Sequence, residues 1–196
     1  MADFLGYFRS RYYNLLDKRK DTFEAMFSKA IEFMDKYGKE ANILETGSLR
    51  IENNFLGDGQ STILFDTFAN FYNGKVLSVD IDPNCTYLVH KYCSSNTAFV
   101  KSDSVEFLKL ISPSIDKFLI IYLDSFDFEE SNPLESANHH LKELEAIYSN
   151  ISKGTIIAVD DNFTPDHGKG MLVKKFLADR GIKPLVDGYQ QIWVIE

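Results

Sequence analysis

The sequence has few of the residues that mark zinc-bound, disulfide-bonded and membrane-embedded proteins. Its 196 residues include two cysteines, Cys85 and Cys93, which lie in one predicted helix without a histidine cluster nearby. This spacing argues against a zinc site or a disulfide framework and predicts reduced thiols, as in a cytoplasmic protein. No apolar stretch approaches the roughly 20 residues that span a bilayer, and no signal peptide is visible, so we expect no membrane partner.

Basic residues are also scarce. The chain has 21 Lys and Arg against 29 Asp and Glu, a net charge of −8, and its longest basic run is Lys18 to Lys20. We interpret that run as a solvated junction between two helices. Because nucleic-acid binding needs clustered basic residues, no nucleic-acid partner is expected, and a small-molecule substrate is favoured.

The hydrophobic pattern predicts an α/β fold. Two helices rich in aromatic residues, 2–18 and 22–37, precede a region in which short apolar runs alternate with helical patterns. The predicted strands are 42–46, 75–80, 97–101, 118–124, 154–160, 182–187 and 190–195. Such alternation is typical of a mostly parallel sheet with helices on both faces. No helix separates the last two strands, so the final strand is predicted to be antiparallel.

The first strand leads into an unusually long loop. A dinucleotide fingerprint needs three spaced glycines after this strand, and only Gly47 is in register. Gly57 and Gly59 come later, immediately before a helix that begins near Ser61. The segment could be a flexible loop capped by Ser61, or a seat for a carboxylate at a helix N-terminus. The length of the loop favours the second interpretation.

Acidic residues follow the predicted strands. In open α/β sheets ligands bind beyond the carboxyl ends of the strands, where an acid such as Asp80 can hold a ribose. Asp103 could cap its helix or contact an adenine. Asp124, Asp161 and Asn162 would form an all-oxygen site suited to Mg²⁺, Mn²⁺ or Ca²⁺, unless they are solvated turn residues.

Candidates for a catalytic base are few. His167 lies in a glycine-rich segment, 164–170. This segment follows the strand whose end carries the predicted metal ligands Asp161 and Asn162, so it could close over a site. Asp127, three residues after Asp124, is a competing base or substrate contact, and Asp124 itself belongs to the predicted catalytic group. A role for His139 or His140 is less expected.

These motifs resemble the class I S-adenosylmethionine-dependent methyltransferases over residues 40–196. Glu45 to Gly47 looks like their first motif, Asp80 like the ribose-binding acid, and Ser102–Asp103 like the adenine-side motif. The number of predicted strands, seven, agrees with their seven-stranded, Rossmann-like sheet. The cofactor-binding residues implied are Glu45, Thr46, Gly47, Ser48, Gln60, Ser61, Thr62, Asp80, Ile81, Ser102, Asp103, Ser104 and Asp124.

The resemblance is strongest to the metal-dependent O-methyltransferases. Asp124, Asp161 and Asn162 match the cation ligands of the catechol and caffeoyl-coenzyme A group, whereas the long loop is more similar to macrocin-type sugar O-methyltransferases. The lysine that the catechol group carries three residues after its strand-four Asp is Asp127 here, and Asp160 adds a second acid.

The resemblance implies methylation of a small hydroxylated acceptor with S-adenosylmethionine and a divalent cation. Residues 1–40 would be a helical extension, acting as a lid or a possible homodimer contact, and residues 41–196 the methyltransferase domain. The alternatives are a hydroxylase-like relative with the same fold, an NAD-type oxidoreductase and a non-catalytic binding module.

Overall fold

The structure, a computed structural model, describes residues 3–164 and 167–196. Met1, Ala2 of the first predicted helix, and Pro165 and Asp166 of the glycine-rich segment lie outside the described residues.

A seven-stranded sheet organises the chain. The strands are β1 (Ile43–Thr46), β2 (Val76–Asp80), β3 (Thr97–Lys101), β4 (Ile120–Leu123), β5 (Thr155–Val159), β8 (Val186–Asp187) and β9 (Gln191–Ile195). Their order is β3-β2-β1-β4-β5-β9-β8. Strands β1 to β5 are mutually parallel, and β9 is antiparallel to both β5 and β8. The predicted α/β fold with an antiparallel last strand is confirmed.

The register of the parallel strands brings their acidic ends together. Thr46 lies opposite Val79 of β2 and Leu123 of β4, and Leu123 lies opposite Val159 of β5. The residues that follow these positions therefore meet at one edge of the sheet. This alignment makes the carboxyl edge of β1, β2, β4 and β5 the natural place to look for a site.

Seven helices are found in the described residues. They are α1 (Phe4–Arg11), α2 (Lys20–Tyr37), α3 (Ser61–Tyr72), α4 (Cys85–Tyr92), α5 (Ser104–Ile111), α6 (Pro133–Ile147) and α7 (Met171–Ala178). A short hairpin, β6 (Asn162–Thr164) with β7 (His167–Gly168), also forms after β5 and was not predicted.

The first predicted helix is wrong in length. It ends at Arg11, and two 3₁₀ turns carry the chain to Arg19. Asp17 has a φ of 46°, a left-handed conformation that a continuous right-handed helix does not allow.

Aromatic side chains of the two N-terminal helices form part of the core. Phe4 and Phe8 of α1 and Phe23 and Phe27 of α2 are at most 1% exposed. Phe27 stacks on Phe68 of α3, with ring centroids 5.0 Å apart. These helices therefore cover one face of the sheet together with α3, while a second apolar cluster contains residues of α5, α6 and α7.

Within the described ranges, no helix has both the length and the apolar character needed to cross a membrane.

Candidate active site

Two clefts lie side by side along the carboxyl edge of the sheet. The first, here the β1 cleft, is lined by Gly47, Ser48, Leu49, Arg50, Asp58, Gln60, Ser61, Thr62, Asp80, Asp124 and Ser125. The second, here the β3 cleft, has a volume of about 230 Å³ and is lined by Asp80, Ile81, Ser102, Asp103, Ser104, Ser125, Phe126 and His139. Asp80 and Ser125 belong to both, so the two clefts form one elongated depression.

Gly47 allows the floor of the β1 cleft to form. Its φ is 79°, and a Cβ atom at this position would lie 2.3 Å from the backbone carbonyl oxygen of Asp124. No side chain fits there, because real Cβ atoms do not approach carbonyl oxygens so closely. The ends of β1 and β4 can therefore come together only with glycine at position 47.

Asp80 lies between the two clefts, held by backbone amides. Its Oδ2 accepts a hydrogen bond from Ser48 N (2.9 Å), and its Oδ1 accepts one from Asp82 N (2.8 Å). These bonds fix the carboxylate at the end of β2. An oriented carboxylate at this point suits the two hydroxyls of a ribose.

Two buried acceptors in the β1 cleft lack partners. Among the described residues, no group donates to Asp58 Oδ2 or Gln60 Oε1, although both atoms are buried. Gln60 itself is 2% exposed and uses its Nε2 to donate to Ile51 O. Because buried acceptors are nearly always satisfied, the pair favours a ligand that brings its own donors, such as an ammonium group.

Glu45, one of the predicted cofactor-binding residues, lines neither cleft. It is fully buried and accepts hydrogen bonds from Ser61 (2.5 Å), Thr62 (2.7 Å) and Ser78 (2.7 Å). The carboxyl thus ties the first turn of α3 to β1 and shapes the cleft from below. Thr46 is buried beside it and also lies outside both clefts.

Burial makes Glu45 a source of pH-dependent stability. Burial raises the pKa of Glu45 from 4.5 to about 7, and the three hydroxyl hydrogen bonds oppose the rise only in part. At a pH between these two pKa values, the Glu45 carboxyl is deprotonated in the unfolded chain and protonated in the folded chain. The Glu45 contribution to the free energy of unfolding should therefore fall by about 3 kcal/mol as the pH rises through this window.

Urea unfolding of wild type and Glu45→Gln at several pH values tests this expectation. In Glu45→Gln the free energy of unfolding should not show the decrease that comes from Glu45. The variant should therefore become more stable relative to wild type as the pH rises towards 8. Glu145→Gln, at an exposed position on α6, serves as the control and should leave the slope unchanged. Parallel curves for wild type and Glu45→Gln would contradict the assigned pKa.

A buried polar network supports the wall of the β3 cleft. Ser104 Oγ lies 2.9 Å from His139 Nε2, and Ser125 Oγ donates to Glu143 Oε1 at 2.6 Å. Burial alone would raise the pKa of Glu143, but hydrogen bonds and the nearby His140 lower it to about 2. The ionised carboxylate therefore holds Ser125 in place. Asp103, by contrast, mainly caps α5 by accepting from Glu106 N (3.0 Å).

The predicted metal ligands lie at one edge, but a lysine lies among them. Lys169 Nζ is 2.5 Å from Asp124 Oδ1 and 2.9 Å from Asp161 Oδ2. Although burial opposes its charge, the two carboxylates hold the pKa of Lys169 above its ordinary value. The ammonium group therefore occupies the space between the two acids.

Asn162 is directed away from this pair and is not available as a ligand. Its Oδ1 accepts from Gly170 N (2.8 Å), and its Nδ2 donates to the carbonyls of Val159 (3.0 Å) and Asp160 (3.2 Å). In the described part of the chain, no group of three or more His, Cys, Asp or Glu side chains could hold a metal ion. The predicted magnesium site does not fit this donor set.

Arg19 is the second cation at this edge, and our interpretation of it as solvated was wrong. It is 3% exposed, its Nε donates to Asp160 Oδ2 (2.8 Å), and its Nη1 donates to Gly57 O (3.0 Å). Tyr189 donates to Asp161 and also contacts Arg19. Arg19 thus ties the N-terminal helices, the long loop and the end of β5 together.

The predicted bases differ in their surroundings. Asp127 is exposed and forms an ion pair with Arg50 (3.0 Å), which links it to the rim of the β1 cleft. His167 is half-buried on β7, with its ring 5.1 Å from that of Phe128, and it lines neither cleft. Of the three catalytic candidates, only Asp124 lines a cleft.

Comparison with known proteins gives structural neighbours only. No family model and no curated protein matches the sequence. The MycE methyltransferase of the mycinamycin pathway, in complex with Mg and SAH, is 16% identical with a TM-score of 0.57. The match covers 84% of this chain and 48% of that one, so the chain spans about half the length of MycE.

Two further neighbours have the same fold. The O-methyltransferase NovP is 13% identical, with a TM-score of 0.55 over 90% of this chain and 80% of its own. Human N-acetylserotonin methyltransferase, in complex with SAM, is 12% identical with a TM-score of 0.50 over 98% and 58%. At these identities the likeness concerns the fold, and this chain has the Rossmann-like fold of the S-adenosylmethionine-dependent methyltransferases.

Proposed function

We propose that the protein is an S-adenosylmethionine-dependent methyltransferase that methylates a hydroxyl group of a small acceptor. The observation that carries the proposal is the elongated depression formed by the two clefts, with Asp80 held at their junction. Solved neighbours with the same fold include complexes with SAM or SAH, which supports the choice of cofactor.

The residues of the depression suit the three parts of this cofactor. The unpartnered acceptors Asp58 and Gln60 would receive the ammonium of the methionine end, and Asp80 would accept from the ribose hydroxyls. Ile81 and Phe126 offer apolar contacts for an adenine in the β3 cleft. When bound, the cofactor supplies a methyl group on a sulfonium, which is already a reactive donor.

Asp124 is the residue best positioned to act on an acceptor. It lines the β1 cleft and its side chain is 20% exposed, whereas Asp160 beside it is buried against Arg19. Its carboxylate would orient an acceptor hydroxyl and take up its proton as the methyl group is transferred. The carboxylates at this edge and the net charge of −8 favour a small, uncharged or cationic acceptor over a nucleic acid.

Asp80→Asn tests the cofactor assignment. Replacing the carboxylate should weaken SAM binding by roughly 10- to 100-fold, because hydrogen bonds to a charged acceptor are the stronger kind. Calorimetric titration of SAM into wild type, Asp80→Asn and Asp82→Asn measures the effect. Asp82 is the matched control, since it is two residues away, accepts from Asn84 N and lines neither cleft.

Equal SAM affinity of the two variants would contradict the role of Asp80. A parallel titration with NADH separates the proposal from the oxidoreductase alternative, and tighter binding of NADH than of SAM would overturn it.

A further inference from the structure

The acceptor side of the site contains five charged groups that neutralise one another almost completely. Asp124, Asp160 and Asp161 follow β4 and β5, and Arg19 and Lys169 lie against them. Two cations against three carboxylates leave a single negative charge. The side chain of Lys169 is 1% exposed, so its charge is directed entirely to these neighbours.

Lys169 occupies the position between carboxylates that a bridging cation would need. Its Nζ contacts an oxygen of Asp124 and an oxygen of Asp161 at hydrogen-bonding distance. The other oxygen of Asp161, Oδ1, already accepts from Tyr189 and Arg19. A divalent ion at this point would have to displace a buried ammonium that forms two charge-assisted hydrogen bonds.

The backbone around Lys169 is closely packed. Lys169 N donates to Asp161 O (3.2 Å), and a Cβ atom at Gly170 would lie 2.8 Å from Asn162 Oδ1. Both the oxygen and the nitrogen of the Asn162 side-chain amide form hydrogen bonds with backbone groups. The turn that carries Lys169 is therefore fixed to the end of β5. From this turn the lysine side chain extends between Asp124 and Asp161.

We propose that Lys169 is a positioning residue that replaces a divalent cation between Asp124 and Asp161. The ammonium bridges the two carboxylates and so fixes the distance between them, and the exposed edge of Asp124 remains free to accept a proton. Such a site lacks open coordination positions for two substrate oxygens. The preferred acceptors are therefore compounds with a single reactive hydroxyl, rather than chelating vicinal diols.

This inference deepens the proposed function, on which its catalytic meaning rests. The charge arrangement can nevertheless be tested without SAM or an acceptor, using Mn²⁺ alone as the probe. A failure of the Mn²⁺ test therefore remains distinguishable from a failure of SAM binding.

The experiment is an electron paramagnetic resonance titration of Mn²⁺ into wild type, Lys169→Met and Lys174→Met. Wild type should show no saturable site, and Lys169→Met should bind one Mn²⁺ at least ~10-fold more tightly, because removing the ammonium leaves the carboxylates to a hard cation. Lys174 is the matched control. It lies on α7 and pairs with Asp187 (2.7 Å), away from the acid pair, so its variant should behave like wild type.

Two further measurements keep the outcome decisive. Adding Asp124→Asn to Lys169→Met should abolish the new Mn²⁺ site and its stabilisation against heat. If Lys169→Met does not fold, Lys169→Gln takes its place, because it removes the charge but keeps a polar N–H donor on a side chain only one atom shorter. Stoichiometric Mn²⁺ binding by wild type that Asp124→Asn removes, or a folded Lys169 variant that binds no Mn²⁺, would overturn the proposal.

Discussion

Arg19→Met is expected to destabilise the protein by about 3 to 5 kcal/mol, because it leaves a buried carboxylate without its counter-charge. The side chains of Arg19 and Asp160 are 4% and 1% exposed, and they form an ion pair of 2.8 Å. The variant also removes the donor to Gly57 O, so the long loop loses one of its contacts with the N-terminal segment. Urea unfolding monitored by circular dichroism measures the change.

A surface ion pair provides the control for Arg19. Arg9 pairs with Glu24 at 2.5 Å, but the Arg9 side chain is 55% exposed. Arg9→Met should therefore leave the free energy of unfolding nearly unchanged. Asp160→Asn should recover part of the stability when combined with Arg19→Met, because it removes the uncompensated charge. Similar losses in Arg19→Met and Arg9→Met would contradict the buried pair.

Gly47→Ala is expected to cost about 4 kcal/mol or more and to abolish SAM binding, since a fold this tight cannot relax around a backbone clash. The new Cβ would lie 2.3 Å from Asp124 O and 2.7 Å from Asp124 C. Relief requires β1 and β4 to separate at the very edge that forms the β1 cleft. Thermal unfolding and SAM titration of the same preparation measure both effects.

Gly181→Ala is the control that separates the effect of the steric clash at position 47 from the effect of the left-handed backbone conformation. Gly181 has a φ of 77°, nearly that of Gly47, but no atom lies within 4 Å of its ideal Cβ position. Its variant should lose only about 1 kcal/mol, the cost of a left-handed alanine. If Gly47→Ala is no more destabilising than Gly181→Ala, the close approach of β1 to β4 is not a constraint.

The fold and the position of the two clefts at the carboxyl edge of the sheet follow from local patterns, so the sequence could predict the fold and could indicate this edge as the place for a site. Short apolar runs separated by helices determine a parallel sheet, and the helix that was predicted to begin near Ser61 does begin at that residue. Because the strands are parallel, Gly47, Asp80 and Asp124 must share one edge. Nearly all the predicted cofactor residues line one of the two clefts, with Glu45 and Thr46 as the exceptions.

The acceptor side depends on contacts between distant residues, which no local pattern reveals. Arg19 lies in a basic run that looks solvated, yet its partner Asp160 is 141 positions away. Lys169 lies between two glycines, and only the folded turn after β5 directs it towards Asp124. The surroundings of Glu45 could not be predicted for the same reason, since its three hydroxyl partners come from two other elements.

The position of His139 could not be predicted, because a histidine on a helix face carries no specific signal. The structure places it against Ser104 at the wall of the β3 cleft. Asp161 and Asn162 match the metal-ligand pair of a known enzyme group, but in this structure the side chain of Asn162 hydrogen-bonds to backbone groups. The motif match brought Asp124 and Asp161 to one edge of the sheet, but it did not reveal that Lys169 lies between them.

A crystal structure of the protein grown with SAH and MgCl₂ tests the central claim most directly. We predict SAH along both clefts, with its ribose hydroxyls on Asp80 and its adenine beside Ser102 to Ser104, and Lys169 Nζ between Asp124 and Asp161. Electron density for SAH elsewhere, or a magnesium ion between the two carboxylates with Lys169 displaced, would contradict this account.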